Sequence, residues 1–232
     1  MINASVICMN PLNLKSDFEL LLESGIYKFH FDVMDGAFVP RYGLYPEILQ
    51  SLFQQYNFEA DCHFMVSNVL DAIKEWSSYA IPAKISYHYN SNIQNLSCVT
   101  NAIRSIGSKS IVAFDLDITL NQIEAVINAR LCDGIMLLSI RPGILKQMPN
   151  PQATISRLST LKSLGILDQL DYVQVDGGVN LKTIPSLLRA GCNELICGSS
   201  TLFNFPKTTK PETRSDRIMN NIIHIKEVMS YA

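Results

Sequence analysis

The chain has 232 residues, of which 47% are hydrophobic, and a formal net charge of −2. That size and apolar content can bury one full core, so residues 1–232 read as a single domain. With no basic cluster and no apolar run approaching the roughly 20 residues of a membrane span, a nucleic-acid surface and a bilayer are both excluded as expected partners.

Short β-rich runs alternate with longer segments of helical spacing. The runs fall at Ile2 to Cys8, Ile26 to Val33, Phe58 to Met65, Ala83 to His88, Ser110 to Phe114, Gly134 to Ser139, Tyr172 to Asp176 and Glu194 to Cys197. Between them, sets such as Phe18, Leu21, Leu22 and Val69, Ile73, Trp76 mark buried helix faces. Gly25, Gly107, Gly165 and Gly191 stand where four helices should stop. Eight βα units are the number that closes an α/β (β/α)8 TIM barrel. An open doubly wound sheet fits less well, because the first turn, Cys8-Met9-Asn10-Pro11, has no glycine-rich dinucleotide fingerprint. Asn204 to Pro211 reads as a polar loop before a last helix. Cys8, Cys62, Cys98, Cys132, Cys192 and Cys197 are scattered without CxxC spacing, as expected of free, mostly buried thiols in a reducing compartment. The N-terminus lacks a secretion signal, and the expected location is cytoplasmic.

The side chains with most chemistry sit at strand ends. In the stretch His30-Phe31-Asp32-Val33-Met34-Asp35-Gly36, alternation turns His30, Asp32 and Met34 to one face. His63 ends the third run and Asp176 the seventh. Strand ends in a closed barrel surround one axis, so two imidazoles and two carboxylates can meet there and hold a divalent ion. Zinc, ferrous iron, manganese and cobalt are the candidates. Asp176 is followed by Gly177-Gly178, and the eighth run by Gly198-Ser199-Ser200. Glycine turns after the seventh and eighth strands suit a phosphate, which their backbone N–H groups can approach. Met34 and Met65 share the faces of the proposed ligands and would floor the site.

The chain resembles the ribulose-phosphate 3-epimerases and their relatives acting on six-carbon ketose phosphates such as allulose 6-phosphate. The resemblance runs from Ser5 to about Phe203, through His30 to Pro40, Asp61-Cys62-His63-Phe64-Met65-Val66, Val175-Asp176-Gly177-Gly178-Val179 and Gly198-Ser199. It implies a ribulose-phosphate-binding type of barrel, a metal on His30, Asp32, His63 and Asp176, and Asp32 with Asp176 as the acid-base pair. It also implies a substrate bound by Ser5, His63, Met34, Met65 and Gly143, with phosphate on Gly177, Gly178, Gly198 and Ser199. The implied reaction is metal-dependent epimerisation at carbon 3 of D-ribulose 5-phosphate to D-xylulose 5-phosphate, in a homo-oligomer; a hexulose 6-phosphate is the alternative substrate.

Departures from the family pattern gather on the covering loops. In Leu138 to Gln147, Pro142, Gly143 and Gln147 are kept, but Leu138 replaces a methionine, Ile144 an aromatic and Lys146 a glycine. His88 is kept, whereas Asn90 stands where glutamate is usual and Asn10 where aspartate is common. Two rival readings remain. A metal-free decarboxylase or lyase would need a lysine among inward carboxylates, which Asp115-Leu116-Asp117 lacks. A non-catalytic sugar-phosphate binder would have no need of both Asp32 and Asp176.

Overall fold

Each β-rich run forms a strand, and neighbours pair in parallel into a closed barrel in the order β1-β2-β3-β4-β5-β6-β7-β8. The computed structural model describes residues 1–92, 95–144, 148–206 and 209–232. The strands are β1 (Ile2–Ser5), β2 (Lys28–Met34), β3 (Glu59–Met65), β4 (Lys84–His88), β5 (Lys109–Phe114), β6 (Gly134–Leu138), β7 (Tyr172–Asp176) and β8 (Glu194–Cys197). The helices are α1 (Leu14–Glu23), α2 (Pro46–Phe53), α3 (Val69–Tyr79), the single turn α4 (Tyr89–Asn92), α5 (Leu96–Ser105), α6 (Leu120–Asn128), α7 (Pro151–Ser163), α8 (Ile184–Arg189) and α9 (Pro211–Ser230).

Strand boundaries follow the neighbours available. The run expected to extend from Ile2 to Cys8 is a strand only to Ser5, and Val6–Cys8 form a 3-10 turn. Its partner β8 ends at Cys197, opposite Ala4, so beyond that level the chain has no ladder to join on that side. Similarly β2 begins at Lys28, because Ile26 is still engaged with the end of α1 through its N–H bond to the Leu21 carbonyl (2.9 Å). The expected helix stops at Gly25, Gly107, Gly165 and Gly191 all lie just past α1, α5, α7 and α8.

Alternation along the strands divides the molecule into two cores. Phe29, Phe31 and Val33 of β2 face outward and join the large cluster under the helices with Phe18 and Leu21 of α1. Inside the barrel, Ile111, Ala113, Met136, Leu138 and Ile196 form a separate apolar patch from β5, β6 and β8. Met34 and Met65 make a small apolar cluster with Val39 at the upper end, and most of the interior below is polar. Lys84 Nζ donates to Glu59 (2.7 Å) and Glu194 (2.8 Å), and Lys28 Nζ to the same two carboxylates at 3.0 and 2.9 Å. Gln174 Nε2 donates to Asp61 (2.6 Å) and Glu194 (2.8 Å), joining this group to the level above.

The C-terminal helix is locked on by charge. Buried Arg214 of α9 grips Asp17 of α1 through Nε at 2.9 Å and Nη2 at 2.6 Å. Among the described residues no helix is long and apolar enough to cross a membrane. The six cysteines are free thiols; Cys98, on α5, is exposed rather than buried.

Candidate active site

Register brings the chemistry together. In the β2–β3 pairing His30 lies beside Asp61, Asp32 beside His63 and Met34 beside Met65, and barrel closure carries Asp176 of β7 to the same spot. His30 Nε2 lies 3.6 Å from Asp32 Oδ1, His63 Nδ1 3.7 Å from the same oxygen, and His63 Nδ1 4.0 Å from Asp176 Oδ2. One donor atom from each of the four residues lies within 4.8 Å of the others.

The imidazoles supply the strongest sign of what the cluster accepts. Both rings are fully buried. His30 Nδ1 is 3.4 Å from Asp61 Oδ2, and His63 Nε2 is 3.0 Å from His88 Nε2. The remaining nitrogen of each ring, Nε2 of His30 and Nδ1 of His63, is buried without a hydrogen-bond partner. Leaving such an atom unsatisfied costs roughly 1–3 kcal/mol, and here both lie against the carboxylates of Asp32 and Asp176. Two imidazole lone pairs and two carboxylates form a donor set that fits a divalent transition ion.

The two carboxylates titrate in opposite directions. Burial pushes Asp32 up, but His30 and His63 outweigh it and hold the group well below the usual carboxylate range. Asp176 is raised, first by burial and then by the negative charge of Asp32. Burial also opposes charge on His30, yet Asp32 and Asp61 prevail and keep it well above its ordinary value. Asp61 is lowered to about 2, because its bonds to His30 and Gln174 and the charge of Lys84 overcome its burial.

Above the cluster the strand ends enclose a cavity of about 410 Å3. Asp32, Asp176 and Ser5 reach it, with Met34 and Met65 beside them, and Ser5 Oγ donates to Asp32 Oδ2 at 3.2 Å. Gly177, Gly178, Gly198 and Ser199 line its β7–β8 side. Gly177 and Gly178 take φ of +86° and +64°, where a side chain would be strained, and the N–H groups of Gly178 and Ser200 make no hydrogen bond among the described residues. Gly143 lines the cavity from the β6 loop, and a Cβ there would come within 2.5 Å of Val39 Cβ, so its bareness lets this loop rest on the β2 loop. His30 and His63 lie beneath the cavity. Lys146 and Gln147 of the altered loop fall outside the described residues.

Several participants carried no expectation. Arg41, on the loop after β2, lines the cavity, and nothing in its local sequence announces this. Asp61 did have a signal: it precedes His63 by two residues and so shares its face, by the same alternation that joined His30 to Asp32. His88 and Asp115 end β4 and follow β5, and their contact with each other depends on a pairing that only the closed barrel fixes.

A closed parallel barrel with polar, metal-competent side chains at the C-terminal ends of its strands defines a (β/α)8-barrel enzyme. The chain belongs to the ribulose-phosphate 3 epimerase family, whose profile matches residues 1–203, and it is accordingly a carbohydrate epimerase of the isomerase class. It is 30% identical to the ribulose-phosphate 3-epimerase of Buchnera aphidicola from Acyrthosiphon pisum, over 87% of this chain and 86% of the relative. With the enzyme of the same name from Methanocaldococcus jannaschii it shares 28% identity over 86% and 82% of the two chains. The tryptophan synthase α-subunit of Pyrococcus furiosus has the same fold, with a TM-score of 0.66 at 13% identity over 99% of this chain and 97% of that one.

Proposed function

We propose that the chain inverts carbon 3 of a phosphorylated 2-ketose, converting D-ribulose 5-phosphate to D-xylulose 5-phosphate, with Asp32 and Asp176 as the two acid-base groups. The observation that carries this reading is geometric: two carboxylates from opposite sides of the barrel, Asp32 on β2 and Asp176 on β7, reach one cavity and share contact with His63. Inverting a carbon requires a proton to leave one face and another to arrive on the opposite face, and one carboxylate on each side is the simplest arrangement that does so.

A divalent ion on His30, Asp32, His63 and Asp176, zinc, ferrous iron, manganese or cobalt, supplies a Lewis acid that stabilises negative charge developing on substrate oxygens. The chain's own groups do the rest. One carboxylate removes the carbon-3 proton and the other returns a proton to the opposite face; in the reverse direction they exchange roles. Ser5 holds Asp32 in place through its hydroxyl. Met34 and Met65 keep the floor apolar and water out. Gly177, Gly178, Gly198 and Ser199 take the phosphate on backbone N–H groups. The reading includes a homo-oligomer working in the cytoplasm.

The test is an assay with ribulose 5-phosphate and, separately, allulose 6-phosphate, with and without added metal. Turnover of the pentulose phosphate is expected, and preference for the hexulose phosphate would reassign the sugar. Absence of turnover with both would remove the epimerase reading. Asp176→Asn should abolish interconversion of the two epimers while leaving the thermal melt of the fold in place, with exchange of the carbon-3 proton in deuterated solvent confined to the one epimer whose proton faces Asp32; continued interconversion, or exchange of both epimers, would refute the two-base assignment.

A further inference from the structure

The two metal-facing imidazoles are braced differently. His30 turns Nδ1 directly onto a carboxylate, that of Asp61, 3.4 Å away. His63 has no carboxylate on its outer nitrogen; its Nε2 meets the Nε2 of a second imidazole, His88, at 3.0 Å, with the two rings stacked 17° from parallel. His88 in turn sets Nδ1 at 3.3 Å from Asp115 Oδ1 and 3.4 Å from Oδ2. Asn90 closes the line, its Nδ2 donating to Asp115 Oδ2 at 3.3 Å.

Hydrogen bookkeeping along this line has one consistent solution for neutral rings. A carboxylate only accepts, and a neutral imidazole has one donor and one acceptor nitrogen. Asp115 therefore requires the hydrogen on His88 Nδ1, which leaves His88 Nε2 as an acceptor. The short contact between the rings then requires the hydrogen of His63 on Nε2. His63 Nδ1 is left with its lone pair, and Nδ1 is the buried atom that has no partner and lies against Asp32 and Asp176.

We infer that His88 and Asp115 are positioning residues that fix the tautomer and ring orientation of His63, making Nδ1 its metal-binding atom. The inference rests on the metal-binding reading proposed above and adds to it a relay from β5 through β4 to β3. It also gives Asn90 a reason. An amide there donates to Asp115, where a glutamate would set a second carboxylate against it. Exchanging Asp115 for a group able to donate would permit the opposite sequence of hydrogens, ending with a hydrogen on His63 Nδ1 where a lone pair is needed.

Partners of this kind, one step removed from the metal, typically change affinity by about 10- to 100-fold. His88→Phe keeps a ring stacked on His63 and against Phe38 but removes the acceptor; Asp115→Leu, at a partly exposed position, releases the far end of the relay should the first variant fail to fold. Calorimetric titration of metal-free protein with zinc and with manganese should show both variants weakened, His88→Phe by about 10- to 100-fold. Imidazole 15N resonances of the zinc-loaded wild type should place the hydrogen of His63 on Nε2 and the metal on Nδ1. Unchanged affinity in the folded variants, or zinc on His63 Nε2, would overturn the relay while leaving metal binding intact. A wild type that takes up neither ion would instead bring down the metal reading, and the relay with it.

Discussion

Gly43 sets the position of Asp32 without having a side chain. After β2 the chain turns back, and Gly43 N–H bonds the Met34 carbonyl at 3.0 Å while Leu44 N–H bonds the Asp32 carbonyl at 2.8 Å. A Cβ on Gly43 would lie 2.5 Å from Met34 N and closer still to the Asp32 carbonyl oxygen. Its need for glycine is therefore one of space, and the obstacle is backbone, which cannot swing aside as a flexible side chain can. Gly43→Ala must lift the returning segment off the strand end, at a cost of about 1–3 kcal/mol. Because the lifted segment no longer holds the Asp32 carbonyl through Leu44 N–H, Asp32 loses a restraint on its position and kcat should fall by about tenfold or more. Urea denaturation and steady-state rates measure the two effects; a variant matching wild type in both would show that this segment does not hold Asp32. The contact was invisible in the sequence, where Gly43 lies between Tyr42 and Leu44 with no turn signal to mark it. His30-x-Asp32 was legible because alternation in a strand needs no knowledge of any other element.

Loops beyond the strand ends are tied to one another, and Asp35 is the knot between two of them. Its Oδ1 accepts N–H bonds from Ala37 (2.9 Å) and Phe38 (2.8 Å) within the β2 loop, and its Oδ2 accepts that of Ser67 (2.7 Å) in the loop after β3. Burial raises its pKa, but the bonds from Ser67, Phe38 and Ala37 together outweigh that and bring it down from 3.8 to about 2. A folded-state value below the unfolded one means that its stabilising effect is fully present above pH 3.8 and is lost as pH falls through about 2. Asp35→Asn should therefore lose stability relative to wild type at neutral pH, with the difference shrinking between about pH 4 and pH 2. Paired urea titrations across that range test it, and a difference independent of pH would mean that the carboxylate charge plays no part. The elements these loops join were readable from apolar runs and glycine stops, whereas where β1 ends was not. Ser5 is the last residue of that strand because β8 turns away after Cys197, a fact about a segment almost the whole chain distant.

The barrel as a whole is closed around charge in its lower half. Lys84, 1% exposed in its side chain, is held between Glu59 and fully buried Glu194, and Lys28 shares both carboxylates. Glu194 is also reached by Gln174, which passes the network upward to Asp61 and so to His30. The outer core was legible because its residues recur with helical and strand periods. This inner one was not. Glu59, Lys84 and Glu194 open their strands and Lys28 lies near the start of its run, so in sequence they look like polar boundaries facing water; only ring closure turns them toward one another. Burial pulls the Lys84 pKa down, but Asp61, Glu194 and Glu59 outweigh it and leave it raised. Burial similarly pushes Glu194 up, but Lys84, Gln174 and Lys28 bring it below its ordinary value, so both partners are held charged. Removing Lys84 leaves fully buried Glu194 with only the partly exposed Lys28 as its counter-charge, and breaking a buried pair of this kind costs up to about 3–5 kcal/mol. Lys84→Met should be destabilised by that amount in urea at neutral pH. Lys28→Met should cost clearly less, since the Lys28 side chain is 19% exposed and Lys84 still neutralises Glu194 in its absence. Equal losses from the two substitutions would mean that burial does not rank these lysines and that the interior charges are compensated by water entering from the lower end of the barrel.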